Sequence, residues 1–451
     1  MTKQITIIVC VACLLIVSQC LGEDEPVENP RIVTIADGWA GNSINAVIFR
    51  RNSVVTDVNC QYVAFYDESA NVVLAKRQLG TDIWEIQVTQ YQGNVTDAHN
   101  SISIMADGDG FLHVSWNHHG SPLHYCQSVA PGSLELTDKM PMTGIKEQNI
   151  TYPEFYRLPD GNLIFLYRDG SSGRGDLIMN YYDTNTKTWT QLQNNLIDGQ
   201  GRRNAYWQTT IDTNGVIHIS WVWRESSDVA TNHDICYAKS DDGGLSWQKS
   251  TGEKYELPIT ADSAEYACYI PQRSELINQT SMCADYYGLP YIATYWRPQD
   301  SNVPQYHLVY NDGIQWHTVQ VSQRTTPFSL SGGGTKRIPI SRPQIVADVN
   351  ETINKAYMIF RDIERGDKVS VAICDDLLLA PDVWRFEDLT SDSVSQWEPS
   401  YDTELWTLTK TLHIFVEKVG QGEGETIENI PPQPISILEW IPYVELRDDD
   451  I

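Results

Sequence analysis

An apolar strand pattern recurs seven times along the chain. In each copy apolar residues dominate and polar residues partly alternate with them, as expected of a buried strand. The copies are QYVAFYD (61–67), FLHVSW (111–116), NLIFLYR (162–168), VIHISWVWR (216–224), LPYIATYWR (289–297), KAYMIFRD (355–362) and TLHIFVEK (411–418). Their spacing of roughly 50 to 70 residues predicts one repeat architecture instead of several unrelated domains.

Three further strands accompany each copy. One precedes it, a second follows after a short loop, and a third carries tryptophan near its start in most repeats: Trp84, Trp189, Trp247, Trp316 and Trp384. Four antiparallel strands repeated seven times predict an all-β fold, a seven-bladed β-propeller. The last repeat lacks its outer strand. The N-terminal RIVTIA (31–36) is predicted to supply that strand and close the ring.

The segment SDDGGLSW (240–247) has the Ser-x-Asp-x-Gly-x-x-Trp spacing of an Asp-box, also called a BNR repeat. This motif is typical of propeller blades, where it folds as a hairpin between the third and fourth strands. We therefore predict a structural role for Asp242.

Propeller geometry sorts the side chains between two faces of the disc. In each blade the start of the innermost strand and the loop between the second and third strands lie on the same face. Residues at the innermost strand starts are His99, Asn100, Tyr152, Tyr206, Arg342 and Trp397, and those at the second loops are His118, His119, Arg168, Arg224, Arg297 and Arg361. These residues are predicted to surround one mouth of the central funnel.

Arginine, histidine and tyrosine at one mouth point to an anionic ligand. Arginine binds carboxylate or sulfate through two parallel hydrogen bonds. Three other histidines, His113, His218 and His413, occupy the same position of the second strand in three blades and are interpreted as packing residues.

The composition narrows the class of partner. The chain has 59 acidic and 32 Lys or Arg residues, a formal charge of −27 that argues against nucleic acid. Residues 1–22, with an apolar run from Ile5 to Val17, resemble a signal peptide, and residues 23–451 are predicted to be one secreted, soluble propeller domain. No membrane association is expected, and the expected oligomeric state is a monomer.

Cysteines and sequons add two expectations. Six cysteines follow the signal peptide, and of these only Cys268 and Cys283 are close enough in sequence to favour a local disulfide. Four Asn-x-Ser/Thr sequons, at Asn94, Asn149, Asn278 and Asn350, are expected to mark exposed, glycosylated loops.

The residue types at the mouth suit one reaction class. Breaking a 4-linked uronate by β-elimination requires a group that neutralises the carboxylate, a base for the C5 proton and an acid for the departing O4. Arginine suits the first task, and histidine and tyrosine suit the other two. No cofactor is required. A structural calcium between acidic loops is compatible with the sequence, although no EF-hand-like run of ligands occurs.

The stretch TYPEFYRLPDGNLIFLYRDGSSGRGDLIMNYYD (151–183), followed by RNAYWQTTIDTNGVIHISWVWR and the Asp-box, resembles the BNR-4 propellers. That group includes seven-bladed ulvan lyases and related rhamnose–glucuronate-cleaving enzymes. The resemblance covers residues 40–250 well and the remainder through the repeat pattern alone. It implies a polysaccharide lyase acting on an ulvan-like anionic polysaccharide.

The resemblance also implies residue roles. Tyr152 and His99 would share acid–base work, and Arg168 would neutralise the uronate carboxylate. His119 would assist or orient, while His118 beside it is interpreted as a turn residue without a functional role. The residues expected to contact substrate are Asn100, Tyr206, Arg224, Arg297, Arg342, Arg361 and Trp397.

Three alternatives remain open at this stage. One is a glycoside hydrolase acting at rhamnose–glucuronate linkages, although hydrolysis usually needs two carboxylates and Glu398 is the only obvious one at the mouth. A sialidase is disfavoured, because Arg337-Ile338-Pro339 lies late in the chain and seven repeats do not fit six blades. The third is a non-catalytic propeller that stacks sugars on Trp39, Trp207, Trp223, Trp296 and Trp397.

Overall fold

The strands of the chain form seven antiparallel sheets that stand as blades in a ring. The computed structural model describes residues 29–278 and 281–442. The innermost strands of successive blades contact one another in chain order, which is the arrangement that closes a propeller. The predicted all-β, seven-bladed fold is confirmed.

The N-terminal strand β1 (Arg31–Gly38) belongs to the last blade, and the first three blades follow it in the chain. The first blade contains β2 (Val54–Asp57), β3 (Cys60–Tyr66), β4 (Asn71–Gln78) and β5 (Glu85–Gln92). The second contains β6 (Ile102–Ala106), β7 (Leu112–Trp116) and, after the short β8 (His119–Ser121), β9 (Tyr125–Gln127). The third contains β10 (Ile150–Arg157), β11 (Leu163–Asp169), β12 (Asp176–Asp183) and β13 (Thr188–Gln193).

The remaining four blades complete the ring. The fourth contains β14 (Asn204–Ile211), β15 (Ile217–Arg224), β16 (Asn232–Ser240) and β17 (Glu265–Cys268). The fifth contains β18 (Ser281–Ala284), β19 (Pro290–Trp296), β20 (Gln305–Asn311) and β21 (Trp316–Gln320). The sixth contains β22 (Gln344–Val349), β23 (Asn354–Phe360), β24 (Ser370–Cys374) and β25 (Arg385–Asp388). The seventh contains α1 (Thr403–Thr409), β26 (Leu412–Val416) and β27 (Gln433–Trp440).

Ring closure follows the predicted route. β1 pairs antiparallel with β27, so the N-terminal strand is the outer strand of the seventh blade. The innermost strand of that blade is reduced to a single bridge between Tyr401 and Ile414, and α1 follows it. Asp402 caps α1 at Leu405 and also accepts hydrogen bonds from Thr56 and Gln61 of the first blade. One buried carboxylate therefore ends the irregular strand and joins the first and last blades.

Three histidines predicted to pack in the blades do so. His113 contacts the Tyr125 hydroxyl (2.7 Å) and Asp107 (3.3 Å), and His218 repeats this pattern with Tyr237 (2.7 Å) and Asp212 (3.4 Å). His413 is likewise buried, beside Gln61 and Arg77. Their ring nitrogens serve the structure, which separates them from the histidines at the funnel mouth.

The Asp-box is structural, as predicted. Asp242 accepts hydrogen bonds from the Ser240 hydroxyl (2.8 Å) and from the backbone N–H of Ser246 (2.9 Å), which fixes the hairpin. Trp247 is buried against the third and fourth blades.

The predicted Cys268–Cys283 disulfide is wrong, because both residues are free thiols. Cys268 lies on β17 and accepts from the Thr318 hydroxyl of β21, the outer strand of the fifth blade (3.6 Å). Cys283 is buried on β18, the inner strand of that blade. Three strand spacings, roughly 14 Å, separate inner from outer strand, which exceeds the reach of a disulfide.

One sequon departs from expectation. Asn94 and Asn149 are exposed, but Asn278 is buried and accepts a hydrogen bond from Arg224 (3.2 Å). Glycosylation stays a prediction for the exposed sites and is disfavoured at Asn278. The predicted signal peptide (1–22) lies outside the described residues, and no helix within them is long and apolar enough to cross a membrane.

Candidate active site

A cavity of about 370 Å³ opens at one mouth of the funnel. The starts of innermost strands and the loops between second and third strands line it, as the repeat geometry predicts. Seven predicted site residues are among the lining residues: His99, His119, Tyr152, Arg168, Tyr206, Arg224 and Arg342. Their shared location is confirmed, while their roles stay predictions.

His119 reaches the cavity because the loop that carries it leaves its own blade. After β7 the chain turns at Asn117, with φ of +64°, and residues 119–121 form β8, which pairs with β10 of the third blade. The backbone N–H of Gly120 donates to the Thr151 hydroxyl (2.9 Å) and pins the strand there. The second-blade loop thereby delivers His119 to the boundary between two blades.

Asp97 holds two histidines side by side. Its two carboxylate oxygens accept from Nδ1 of His99 (2.9 Å) and Nδ1 of His119 (2.6 Å), and the two rings stack with centroids 4.0 Å apart. These contacts hold the pKa of Asp97 well below its usual range, although burial opposes this. Because an ionised carboxylate can only accept, both Nδ1 atoms carry hydrogen and each Nε2 is left for the cavity.

Glu425 is a second carboxylate on the same histidine. Its Oε1 lies 3.1 Å from Nδ1 of His99. Burial alone would lower the pKa of His99, but the hydrogen bonds to Asp97 and Glu425 outweigh burial and raise it. His99 is therefore a stronger base than an ordinary histidine.

His118 faces away from this pair. Its Nε2 contacts the Ser115 hydroxyl (3.1 Å), its Nδ1 contacts the Ser121 hydroxyl (3.3 Å), and its ring stacks on His124. Burial lowers the pKa of His118 to about 3, so this ring is neutral. The hypothesis that His118 is a structural neighbour of His119 is consistent with these contacts.

Tyr152 sits in a strained backbone position. Its φ is +59°, and the β10–β11 register shifts between Thr151 and Glu154, which marks a bulge. A tyrosine at positive φ costs energy that a regular strand would not incur, and bulges commonly re-aim a side chain. Burial and, to a lesser degree, Tyr206 raise the pKa of Tyr152 above its ordinary range, so its phenol keeps its proton.

Arg168 is a buried cation without a hydrogen-bond partner at two of its three nitrogens. Its residue exposure is 3%, and neither Nε nor Nη1 has a partner among the described residues. The guanidinium lies over the ring of Tyr152, 4.9 Å from its centroid. Gly175 makes room for it, since a Cβ there would approach the Arg168 side chain to 2.5 Å. Leaving a buried charge unpaired is costly, so this position is prepared for an anion.

Tyr206 differs electrostatically from Tyr152. Burial would raise its pKa, but the positive charges of Arg168 and Arg224 outweigh burial and lower it. Its hydroxyl contacts the Ser172 hydroxyl (3.1 Å). Arg224 itself is held by the carbonyls of Ser226 and Ser227 and by Asn278.

Arg342 lines the cavity, but its charge is neutralised by the protein. Its Nε and Nη2 donate to the two oxygens of Glu398 (2.8 and 2.6 Å), both residues are buried, and Arg342 lowers the pKa of Glu398 although burial opposes this. Glu398 is accordingly committed to an ion pair.

Four residues predicted to bind substrate are not among those that line the cavity, so their predicted location differs from the observed one, while their substrate contacts stay a prediction. Asn100 donates to the Asn94 carbonyl (2.9 Å), and Trp397 is fully buried and donates to the Phe415 carbonyl (2.8 Å). Arg297 pairs with Glu275 (2.6 Å). Arg361 is buried and donates to Asp367 (2.7 Å) and to the carbonyls of Ile338 and Trp397.

Sequence reasoning missed Asp97, Glu425 and a glycine-rich segment, Gly332–Lys336. Asp97 lies two residues before His99, so its spacing offered a signal. Glu425 comes from the loop after β26, more than 300 residues away in sequence, and nothing local marks it.

The Asp97, His99 and His119 cluster also meets the distance criterion for a metal site. One nitrogen or oxygen atom from each lies within 4.8 Å of the others. Their contacts are nevertheless those of hydrogen bonds, because each Asp97 oxygen meets one imidazole Nδ1–H at 2.6 or 2.9 Å. We therefore interpret the cluster as two imidazoles that one carboxylate orients through hydrogen bonds.

Comparisons with known proteins agree with this architecture. A segment of 120 residues is 27% identical to the long isoform of ulvan lyase from Pseudoalteromonas sp. (strain PLSV) and 26% identical to that from Alteromonas sp. (strain LOR). Each match covers 24% of this chain and 12% of the relative.

Solved structures match over most of the chain at low identity. The polysaccharide lyase Uly1 superimposes with a TM-score of 0.67 and 14% identity, covering 91% of this chain and 99% of that one. A PL25 ulvan lyase bound to -[GlcA(1-4)Rha3S]- superimposes with a TM-score of 0.65 and 14% identity, covering 90% and 95%. The BNR_4 family model, described as BNR repeat-containing family member, matches residues 60–324. The chain belongs to this family of BNR repeat-containing proteins.

Proposed function

We propose that the protein is a polysaccharide lyase that cleaves a uronate-containing anionic polysaccharide by β-elimination. The observation that carries the proposal is the buried guanidinium of Arg168, which shares one cavity with His99 and Tyr152 and has no hydrogen-bond partner among the described residues at Nε or Nη1. The planar fork of an arginine binds a carboxylate through two parallel hydrogen bonds. The similarity to ulvan lyases favours a sulfated rhamnose–glucuronate polymer as substrate.

The reaction needs three chain-derived groups. Arg168 pairs with the uronate carboxylate and stabilises the negative charge that develops there when C5 is deprotonated. Nε2 of His99 takes the C5 proton, and the Tyr152 phenol gives its proton to O4. The C5–H and C4–O4 bonds break and a C4=C5 double bond forms, so no water and no redox partner are consumed.

The pKa values of the acid and the base move in the same direction. His99 is raised above the ordinary histidine value of about 6.5, and Tyr152 is raised above the ordinary tyrosine value of about 10. The base is free only above the first pKa, and the acid is protonated only below the second. Activity is therefore expected to rise with pH through a range above that of an ordinary histidine and to persist into alkaline solution.

The other cavity residues support this role. Asp97 orients His99 and His119, and His119, which also lines the cavity, assists His99. Tyr206 and Arg224 contact the substrate next to the carboxylate site, since both line the same cavity.

Hydrolysis and simple binding have less support. Glu398 is locked to Arg342, and Asp97 and Glu425 both contact His99, so no free pair of carboxylates lines the described cavity. Several tryptophans that suit stacking are buried: Trp207, Trp223 and Trp397. Arg337 of the Arg-Ile-Pro segment pairs at the surface with Glu428.

The test is product analysis on a panel of ulvan and other 4-linked glycuronans. A lyase raises the ultraviolet absorbance of the unsaturated uronate in step with new reducing ends. New reducing ends without that absorbance would identify a hydrolase. Binding without any product, unchanged in a His99→Ala/Tyr152→Phe variant, would identify a binding protein.

Export, cofactor independence and a monomeric state complete the proposal. N-terminal sequencing of the protein secreted by a eukaryotic host should find the chain beginning near Glu23. Prolonged dialysis against a chelator should leave the lyase rate unchanged, and light scattering should give the mass of one chain. Loss of activity that added calcium restores would replace cofactor independence with a metal requirement.

A further inference from the structure

A glycine-rich strap, residues Gly332–Lys336, crosses one side of the cavity. At its first end Gly332 donates to Asp228 (2.6 Å) and accepts from the backbone of Val229 (2.9 Å), both in the fourth-blade loop. At its other end Thr335 accepts from the backbone of Gly424 in the seventh-blade loop (2.9 Å). Residues 333–336 of the strap line the cavity.

Glu425 joins this strap to His99. Its Oε1 accepts from both the backbone N–H and the hydroxyl of Thr335 (2.7 and 2.8 Å) and lies 3.1 Å from Nδ1 of His99. Its Oε2 accepts from the backbone N–H of Ala98, the residue before His99 (3.0 Å). One carboxylate thus contacts the strap, the backbone that leads into the second blade and the imidazole.

We propose that Glu425 is a positioning residue for His99, held in place by the strap, and that it fixes the His99 ring with Nε2 facing the substrate. This inference rests on the proposed function for its catalytic consequence. Its structural content, that Glu425 sets the orientation and the proton affinity of His99, does not depend on any activity.

Nδ1 of His99 needs a second carboxylate partner, Glu425, because Asp97 is shared between His99 and His119. Its second oxygen holds His119 at the shorter distance, 2.6 Å against 2.9 Å for His99. Without Glu425, His99 would keep only the longer of these two bonds. Phe49 stacks on the free face of the His99 ring, with centroids 4.9 Å apart, but a stacked ring does not fix rotation within the ring plane.

The groups that face His99 come from five blades. Asp97 and His119 belong to the second blade, Tyr152 to the third, Tyr206 to the fourth and Glu425 to the seventh. Phe49, from the chain that enters the first blade, contributes a neutral ring. Glu425 and Asp97 are the carboxylates in contact with His99, so removing either should lower the proton affinity of the ring.

The experiment compares Glu425→Gln with Glu428→Gln. Glu428 lies in the same loop and pairs with the exposed Arg337, so it matches the charge change at a place outside the cavity. For Glu425→Gln we expect kcat to fall about tenfold with KM within about twofold, because general base catalysis depends on ring orientation. The acidic limb of its pH profile should move to lower pH. Glu428→Gln should leave all three quantities at their wild-type values.

A measurement without substrate separates this inference from the proposed function. NMR titration of His99, assigned by comparison with His99→Gln, should show the ring titrating at lower pH in Glu425→Gln and unchanged in Glu428→Gln. Glu425→Asp keeps the charge and should restore part of the wild-type titration. An unchanged His99 titration in folded Glu425→Gln would overturn the inference, whether or not the protein proves to be a lyase.

Discussion

The two halves of the blade ring use arginine in opposite ways. On the side of the second to fourth blades, Arg168 has two nitrogens without hydrogen-bond partners among the described residues, and His99 lines the cavity. On the side of the fifth to seventh blades, Arg297, Arg342 and Arg361 are all paired with carboxylates. The repeat places Arg168, Arg297 and Arg361 at equivalent positions of their blades, whereas Arg342 precedes an innermost strand. Local counterions decide which of these arginines remain available to a ligand.

Arg168 and Arg361 make the contrast most direct. Arg168 lies near the end of the second strand of the third blade, Arg361 directly follows the second strand of the sixth, and both are buried. Arg361 donates to Asp367 and to the carbonyls of Trp397, Pro339 and Ile338, so its charge stabilises neighbouring loops. Arg168 has no such set, and its burial without compensation is favourable only when an anion binds. Active sites commonly give up stability in this way in order to gain function.

Tyr152→Phe should have the largest effect on the functional side. Removing the phenolic O–H takes away the proposed general acid, and such a group contributes roughly a hundredfold to ten-thousandfold to a rate. We expect kcat on ulvan to fall roughly a thousandfold with little change in thermal stability, measured by product absorbance and calorimetry. A larger loss for Tyr206→Phe than for Tyr152→Phe would move the proton-transfer role to Tyr206.

Arg168→Gln should lower activity slightly less than Tyr152→Phe does, and it should not lower the thermal stability of the protein. Loss of a charge that stabilises the developing carbanion is expected to lower kcat/KM roughly a hundredfold to a thousandfold. Because two of the three guanidinium nitrogens lack hydrogen-bond partners among the described residues, removal of the group should leave the unfolding temperature unchanged or raise it. A clear drop in unfolding temperature would mean that Arg168 is structural, like Arg361.

Much of this arrangement is predictable from the sequence. The strand repeat gives the seven blades, and the alternation of blade loops places His99, His119, Tyr152 and Arg168 at one mouth. Their location follows from topology alone, since each lies at a fixed point of its repeat. The roles assigned to them depend on the family resemblance and stay predictions.

What the sequence does not reveal is pairing across the ring. Glu398 neutralises Arg342 from the next blade along, and Glu425 reaches His99 from the far end of the chain. Such contacts depend on loop conformations that have no repeat signature. The positive φ of Tyr152 is equally hidden, because no glycine or asparagine marks the position. The irregular inner strand of the seventh blade, replaced in part by α1, is a further local departure from the repeat.

Arg361→Gln should lower stability and leave activity unchanged, which is the reverse of the result expected for Arg168→Gln. Removal of Arg361 takes donors away from the half-buried Asp367 carboxylate and from several carbonyls, which should cost at most about 3 kcal/mol in the free energy of unfolding, the figure for breaking a fully buried pair. We expect that loss in denaturant unfolding, with kcat/KM of the folded protein within about twofold of wild type. A selective loss of activity at full stability would return Arg361 to the substrate-binding set.

Arg297→Gln should have the smallest effect and so sets the baseline for the comparison. Its partner is Glu275 at 2.6 Å, but the arginine side chain is 30% exposed, and partly exposed ion pairs contribute little because water screens them. We expect the free energy of unfolding to change by less than about 1 kcal/mol and activity to stay at the wild-type level. The same substitution to glutamine then has three distinct expected outcomes. At Arg168 activity is lost and stability is kept, at Arg361 stability is lost and activity is kept, and at Arg297 both are nearly unchanged. If Arg297→Gln instead raised KM several-fold at unchanged kcat, the polysaccharide would have to extend beyond the cavity to the fifth blade, and the division between the two sides would hold for the reacting sugar alone.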